Sequence, residues 1–152
     1  MSKKEWPSVD KYNGVIVASS IKGSFWRDEP KNFLRDNGNK ILKDKKILGT
    51  FVCSAYSLID KEKAKERYLE KILRFYKIHP HIYEVFGPVF DFSEDSELSK
   101  LDKKLLKLTA RNISKRTGID ISENGRNDFR NWEEIKRFAD GFSQFLLNQQ
   151  II

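Results

Sequence analysis

Three apolar runs of this sequence are each followed by a short segment that combines glycine or small hydroxyl residues with aromatic residues. These segments span residues 19–27, 54–57 and 87–92. Small residues let a backbone approach a flat ligand, and aromatic residues such as Trp26 and Tyr56 can stack on its faces. The segments therefore predict a site for a planar ligand. The alternative, that they are ordinary surface loops with aromatic residues folded onto the protein, stays open at this point.

Other residue types that can carry chemistry have better structural explanations. Cys53 ends an apolar run with no histidine near it in sequence, so a buried strand cysteine is favoured over a nucleophile. His79 and His81, the two histidines of the chain, have spacing suited to a metal, but no cysteine or acidic motif accompanies them. The acidic residues of segment 94–97 are typical of a helix N-terminus. We predict no metal site and assign no catalytic residue.

The apolar runs define the elements that must position this site. They cover residues 14–19, 47–53 and 82–87, begin 33 and 35 residues apart, and are nearly continuous in hydrophobicity, as in strands covered on both faces. Helical patterns lie between and after them, at residues 28–43, 61–78, from Asp95 to about Arg116, and from Asn131 onward. This order predicts an α/β fold with a parallel sheet and helices on both faces. Ligands bind such sheets at the carboxyl ends of the strands, where the three segments would meet.

Two of the helices have distinctive compositions. The third continues through Leu98, Leu101, Leu105 and Leu108 and carries basic residues at 100, 103, 104, 107, 111, 115 and 116. Such a basic face is usually solvated, and an anionic membrane surface or a nucleic acid are the alternatives. The fourth helix begins with Asn131 as a cap and is expected to bury Ile135, Phe138, Ala139, Phe142 and Leu146.

Composition limits the class of protein. The chain has 152 residues, 39% of them hydrophobic, one cysteine, and a net charge of +7. It has no apolar run of about 18 residues and no apolar leader after Met1. We therefore expect a single soluble, cytoplasmic, basic domain over residues 1–152 without disulfides.

Several motifs resemble flavodoxin-like proteins, and most of all the flavodoxin-type, menaquinone-dependent protoporphyrinogen oxidases. The stretch from Asp10 to Lys22 (DKYNGVIVASSIK) is similar to their third strand and the loop after it, whose pattern is roughly D-Y-D-x-V-V-I-G-A-S-I-R. Further likeness lies in residues 51–54, in the third apolar run of this chain (residues 82–87), in residues 113–120, and in residues 128–139 (DFRNWEEIKRFA). The resemblance covers about residues 10–146, and it includes the helical segment that distinguishes these enzymes from short flavodoxins.

The resemblance implies a flavodoxin-like fold, with a three-layer parallel sheet, that binds FMN and carries out electron transfer in porphyrin biosynthesis. In this family the electrons pass to a quinone, which implies a position peripheral to the membrane. The residues that would border the FMN ring are Ser19, Ser20, Ile21, Lys22, Gly23, Trp26, Ser54, Ala55, Tyr56, Gly87, Pro88 and Phe90. Lys22 matches a basic position of the family pattern and would stabilise negative charge on the reduced ring.

The chain departs from the family at its start. Flavodoxin folds begin with a strand and a glycine- and hydroxyl-rich loop that holds the FMN phosphate at a helix N-terminus. Only 13 residues precede the first apolar run, whereas a βαβ unit needs about 30. We expect an N-terminally incomplete domain, in which residues 1–13 lead in and residues 93–131 form the extra helix and a polar connector.

Without the N-terminal strand and phosphate loop, the sequence is compatible with more than one function. One is an FMN-dependent oxidoreductase; a second is a non-catalytic interaction or regulatory domain that does not bind FMN. A nucleic-acid-associated domain is the weakest of the three. An uncharged strand at 14–19 would be an exposed sheet edge, so we predict that a second copy or a companion chain covers it.

Overall fold

A four-stranded sheet forms the centre of the computed structural model, which describes residues 6–149. Its strands are β1 (Gly14–Lys22), β2 (Phe25–Trp26), β3 (Ile47–Cys53) and β4 (Ile82–Phe86), in the order β2-β1-β3-β4. The parallel pairing of β1, β3 and β4 confirms the strands predicted from the apolar runs. Ser20 lies beside Cys53, and Cys53 beside Phe86, so the carboxyl ends of the three strands form one row.

The first loop differs from its prediction. β1 continues to Lys22 and turns through Gly23 and Ser24, whose φ angles of 55° and 72° are typical of a tight hairpin turn. The chain then returns as β2, antiparallel to the end of β1. The expectation of a purely parallel sheet is therefore wrong at this edge.

Within residues 6–149, five α-helices flank or follow the sheet. Their bounds are α1 (Asp28–Lys43), α2 (Lys61–Lys65), α3 (Lys71–Tyr76), α4 (Lys100–Thr117) and α5 (Trp132–Gln149), with a π-helical turn at Glu66–Glu70 joining α2 to α3. The third predicted helix begins later than Asp95, because the Ser99 hydroxyl accepts the Asp102 amide and caps the helix there. The acidic residues of segment 94–97 precede the helix.

A second, two-stranded sheet occupies segments that the sequence presents as loop and polar connector. β5 (Val89–Asp91) pairs antiparallel with β6 (Arg126–Asp128). Phe90 of β5 packs with Ala110 and Ile113, on the inner face of α4, in a second buried cluster.

Alternate residues of β3 contact different helices. Leu48 and Val52 belong to the main cluster, together with Leu34 and Ile41 of α1. Phe51 contacts Phe138 of α5, with ring centroids 5.7 Å apart. Because side chains alternate across a strand, α1 and α5 contact opposite faces of the sheet.

In α5, Phe138 is buried and Ile135, Phe142 and Leu146 are half-buried, but Ala139 is exposed, contrary to its prediction.

The outer edge of β1 has no neighbouring strand along residues 14–20 in the part of the chain that the structure describes. Phe142 and Leu146 of α5 lie against Gly14, where a methyl group would come within 2.8 Å of either side chain. Farther along the same face, Ile16, Ala18 and Ser20 are exposed. Neither the edge nor this part of the face is covered by the described residues.

Candidate functional site

The β1–β2 hairpin holds the first group of predicted ring-binding residues. Ser20, Lys22 and Gly23 are exposed, and Ile21 is half-buried against the main cluster. Ser19 is buried, and its hydroxyl donates to the Ser20 carbonyl and accepts from the Arg27 amide, both at 3.0 Å. The Ser19 hydroxyl therefore fixes the entry into α1 and is already occupied by two backbone partners.

Lys22 joins the hairpin to α4. Its ammonium group lies 2.7 Å from the Asp102 carboxylate, and this hydrogen bond is the main cause of the lowered pKa of Asp102. The positive charge predicted to face a reduced ring is thus partly balanced by a carboxylate of the neighbouring helix.

Trp26 is a core residue, and the prediction that it is an exposed stacking residue is wrong. Only 4% of it is accessible, and its indole N–H donates to the backbone carbonyl of Tyr68 in the π-helical turn. This bond ties β2 to the helix after β3, so neither face of the indole is available to a ligand.

The segment after β3 keeps a ligand-accessible part. Ser54 is buried; its hydroxyl accepts the Tyr56 amide at 3.2 Å and caps a 3₁₀ turn, Ala55–Leu58. Ala55 and Tyr56 are half-buried. The Tyr56 ring lies edge-on to Tyr68 and has the Arg116 guanidinium 5.9 Å from its centre. Tyr56 can therefore present part of its ring beside a cation.

The third segment does not form a ligand-binding loop, so its predicted site residues need correction. Pro88 is buried, and its carbonyl accepts the Phe129 amide at 3.0 Å. Phe90 is fully buried in the second cluster. A methyl group on Gly87 would lie 2.1 Å from the Phe129 carbonyl oxygen. The chain after β6 therefore covers the carboxyl end of β4 where a ligand edge was expected.

Two arginines that were not predicted from the sequence as site residues lie at this end of the sheet. Arg116 faces Tyr56, and Arg130 pairs with Asp128, with Nε 2.8 Å from Oδ1. The Arg130 hydrogen bond is the main reason that the pKa of Asp128 falls to about 2. Arg116 belongs to the basic helix and Arg130 to the motif at residues 128–139, but each reaches the site only through folding of the segments around α4 and β6.

Cys53 and His81, two further residues with reactive side chains, have environments that fit a structural role. Burial raises the pKa of the Cys53 thiol, an effect that Arg130 partly opposes, so the thiol form is favoured. His81 accepts the Leu48 amide at Nδ1 and lies edge-on to Phe145. Within residues 6–149, no three His, Cys, Asp or Glu side chains are grouped so that they could hold a metal ion.

A groove of about 520 Å³ runs along the unpaired edge of β1, away from the predicted ring site. Its floor is formed by residues 14–18, and its walls by residues 6–9, Tyr12 and the start of α1 through Phe33. Trp6 packs edge-on against Phe33, with ring centroids 5.5 Å apart. The apolar residues of the lead-in were the available sequence signal for this wall, because Trp6 and Val9 interrupt an otherwise polar segment.

The geometry brings together two of the three predicted segments. The carboxyl end of the sheet holds residues 20–23 together with Ala55 and Tyr56, since β1 and β3 are adjacent and parallel.

No protein-family model, curated protein or solved structure matches the chain. None of the helices in residues 6–149 is both long and apolar enough to cross a membrane.

Proposed function

We propose that this chain is a flavodoxin-like redox domain that holds the ring of FMN between the β1–β2 hairpin and the 3₁₀ turn after β3. The observation that supports it is that the exposed residues Ser20, Lys22 and Gly23 and the half-buried Tyr56 lie at the carboxyl ends of two adjacent parallel strands. This is the position where open α/β sheets bind ligands. The three-layer architecture and a cytoplasmic location belong to the same proposal.

The residues present suit the ring of FMN better than its phosphate. Backbone amides near Gly23 and the half-exposed Tyr56 ring can contact a flat heteroaromatic system. The buried hydroxyls of Ser19 and Ser54 already have backbone partners. Bound FMN would supply the electron transfer, while the chain orients its ring and excludes water from one face.

The phosphate would then be held by another polypeptide unit that docks at the open edge of β1. Such a unit would add a strand beside residues 14–20, where outward amides and carbonyls lack a strand partner among the described residues. It would also cover Ile16 and Ala18, which α5 leaves exposed. A second copy of this chain would fill the edge but bring no additional element with the character of a phosphate loop.

The proposal also includes a specific reaction for the FMN-binding domain. Oxidation of a porphyrinogen, with a quinone as electron acceptor, rests on the motif likeness of residues 10–22 and 128–139 alone. The exposed end of the β1–β2 hairpin and the half-buried Tyr56 support the position proposed for the ring.

The second candidate is a domain that binds a protein partner through the β1 edge and no flavin. It is favoured by the burial of Trp26 and Phe90, two of the predicted ring-binding residues. The close contact of Gly87 with the Phe129 carbonyl favours it as well.

Flavin titration distinguishes these functions. Adding FMN or riboflavin to the purified chain should quench flavin fluorescence in a saturable way, and both should bind within about threefold because the phosphate site lies elsewhere. Tyr56→Ala should weaken both by about 1–3 kcal/mol, the value of burying a large side chain. Phe75→Ala, which changes a 79% exposed aromatic residue on α3, is the matched control.

Each result has a defined meaning. Saturable binding that Tyr56→Ala weakens and Phe75→Ala does not would support the ring site. Absence of binding for both flavins would reject it and leave the interaction domain. Much tighter binding of FMN than of riboflavin would place a phosphate site in this chain. It would reject the proposal that another polypeptide unit holds the phosphate.

A further inference from the structure

An exposed apolar stripe on α4 is not used by the proposed function. Leu101, Leu105 and Leu108 lie one helical turn apart on one face, and they are 67%, 51% and 53% exposed. Leucine at such spacing normally faces a core, but the inner face of α4 is formed instead by Leu106, Ala110 and Ile113. The stripe is therefore a second apolar face on the same helix.

A second element extends this surface. Phe25, in the β1–β2 hairpin, is 71% exposed. The ion pair between Lys22 and Asp102, at 2.7 Å, holds the hairpin beside the first turn of α4. The hairpin that carries Phe25 therefore lies next to the helix that carries the leucine stripe, and the two together offer exposed apolar side chains at neighbouring positions.

Cations border the stripe on one side. Lys100, Lys104, Lys107, Arg111 and Lys115 follow three- and four-residue spacing along α4, next to the leucines. Arg111 is paired with Glu123, whereas Lys100, Lys104 and Lys115 are exposed. Segment 94–117 has seven Lys and Arg residues against four Asp and Glu residues, so it keeps a positive charge despite the acidic residues before the helix.

We propose that this surface, formed by Phe25, the leucine stripe and the lysine flank, binds the surface of an anionic lipid bilayer. Leucine and phenylalanine side chains would enter the boundary between headgroups and acyl chains, while lysine side chains would reach the lipid phosphates. A second copy fits this surface less well, because pairing two α4 helices would bring their basic flanks together. The proposal is independent of flavin binding.

The test is co-sedimentation of the full chain with vesicles of phosphatidylcholine, with or without roughly one third phosphatidylglycerol. We expect binding to the anionic vesicles only, and loss of most binding when salt is raised, because the attraction is screened. The double variant Leu101→Ser/Leu105→Ser should weaken binding by about tenfold or more, and Phe25→Ser should weaken it measurably. Unchanged thermal unfolding of these variants would show that the exposed positions leave the fold intact.

Matched variants distinguish binding through this surface from non-specific hydrophobic binding and from an effect of net charge. Phe75→Ser removes an exposed aromatic residue on α3 and should leave binding unchanged. The triple variant Lys100→Gln/Lys104→Gln/Lys115→Gln should lower binding by about tenfold or more. The triple variant Lys11→Gln/Lys43→Gln/Lys71→Gln, with the same net charge, should retain most of it.

Several outcomes would overturn the proposal. These are no binding to anionic vesicles, equal loss with both lysine triples, or binding that the leucine variants do not change. A dimer that dissociates on Leu101→Ser/Leu105→Ser would identify the stripe as a contact between copies. Tighter binding to an RNA oligonucleotide than to vesicles, independent of the leucines, would assign the lysine flank to nucleic acid.

Discussion

Gly87 makes one of the closest backbone approaches in the molecule, and it connects the end of β4 to the segment after β6. An added methyl group would lie 2.1 Å from the carbonyl oxygen of Phe129 and 2.9 Å from its carbon, so the backbone would have to move. Gly87→Ala should therefore lower the free energy of unfolding by about 1–3 kcal/mol, as overpacking does. Chemical denaturation measures this change.

Gly125 provides the control for this substitution. Its nearest neighbour to an added methyl group is the Ser122 hydroxyl at 3.7 Å, an ordinary contact. Gly125→Ala should leave the free energy of unfolding unchanged or raise it slightly, since alanine restricts the unfolded chain. Equal stability of the two variants would contradict the packing role given to Gly87.

Single-residue roles were the least predictable feature of the candidate site. Trp26 looks like a loop aromatic in the sequence, but its indole finds a carbonyl acceptor at Tyr68, 42 residues away. Ser54 was correctly placed at a strand end, whereas Ser19 lies within β1, and the hydroxyls of both serve the backbone. Residue type and spacing therefore located the parallel strands and the segments after them, while the availability of each side chain depended on distant partners.

Helix caps are the element-scale feature with the most direct energetic consequence. The Asn131 side chain accepts the amides of Glu133 and Glu134 at 3.1 and 3.2 Å, as its capping-box-like pattern predicts. Asn131→Ala should lower the free energy of unfolding by about 1 kcal/mol, because α5 is the described helix that packs on Phe51 and Phe86. Asn131→Asp should retain most of the stability.

Asn148, at the other end of α5, is the position for comparison. It is exposed, so Asn148→Ala should change the free energy of unfolding by no more than about 0.5 kcal/mol. A loss at Asn148 as large as that at Asn131 would show that the effect comes from asparagine in general and not from the cap.

Long elements were predictable from the sequence, and short ones were not. Runs such as Ile47–Cys53 are apolar on both faces, a pattern that is local and strong. β2, β5 and β6 have two or three residues each, and their pairing depends on partners elsewhere in the chain. For the same reason the start of α4 was predicted too early, since acidic residues before Ser99 resemble a first turn.

At the scale of the whole molecule, the sheet has an open edge along most of β1 among the described residues. β3 is paired on both sides, whereas β1 is paired with β3 on its inner side and, on its outer side, only beyond Ser20 with the short β2. The face of β1 that carries Ile16 and Ala18 is exposed where α5 ends its contact. Native proteins seldom leave a long uncharged edge unprotected, because it pairs readily with other strands.

We therefore expect the purified chain to associate through β1. Sedimentation at increasing concentration should show reversible dimers or larger species, and Ile16→Lys/Ala18→Lys should shift them to monomer, because charged side chains on an edge oppose strand pairing. Phe75→Lys, at an exposed site on α3, should leave association unchanged. Amide hydrogen exchange in residues 14–20 should slow in the associated state, since newly formed inter-strand hydrogen bonds protect outward amides. A wild-type chain that stays monomeric at tens of micromolar would contradict pairing at this edge, as would association that the lysine variant retains.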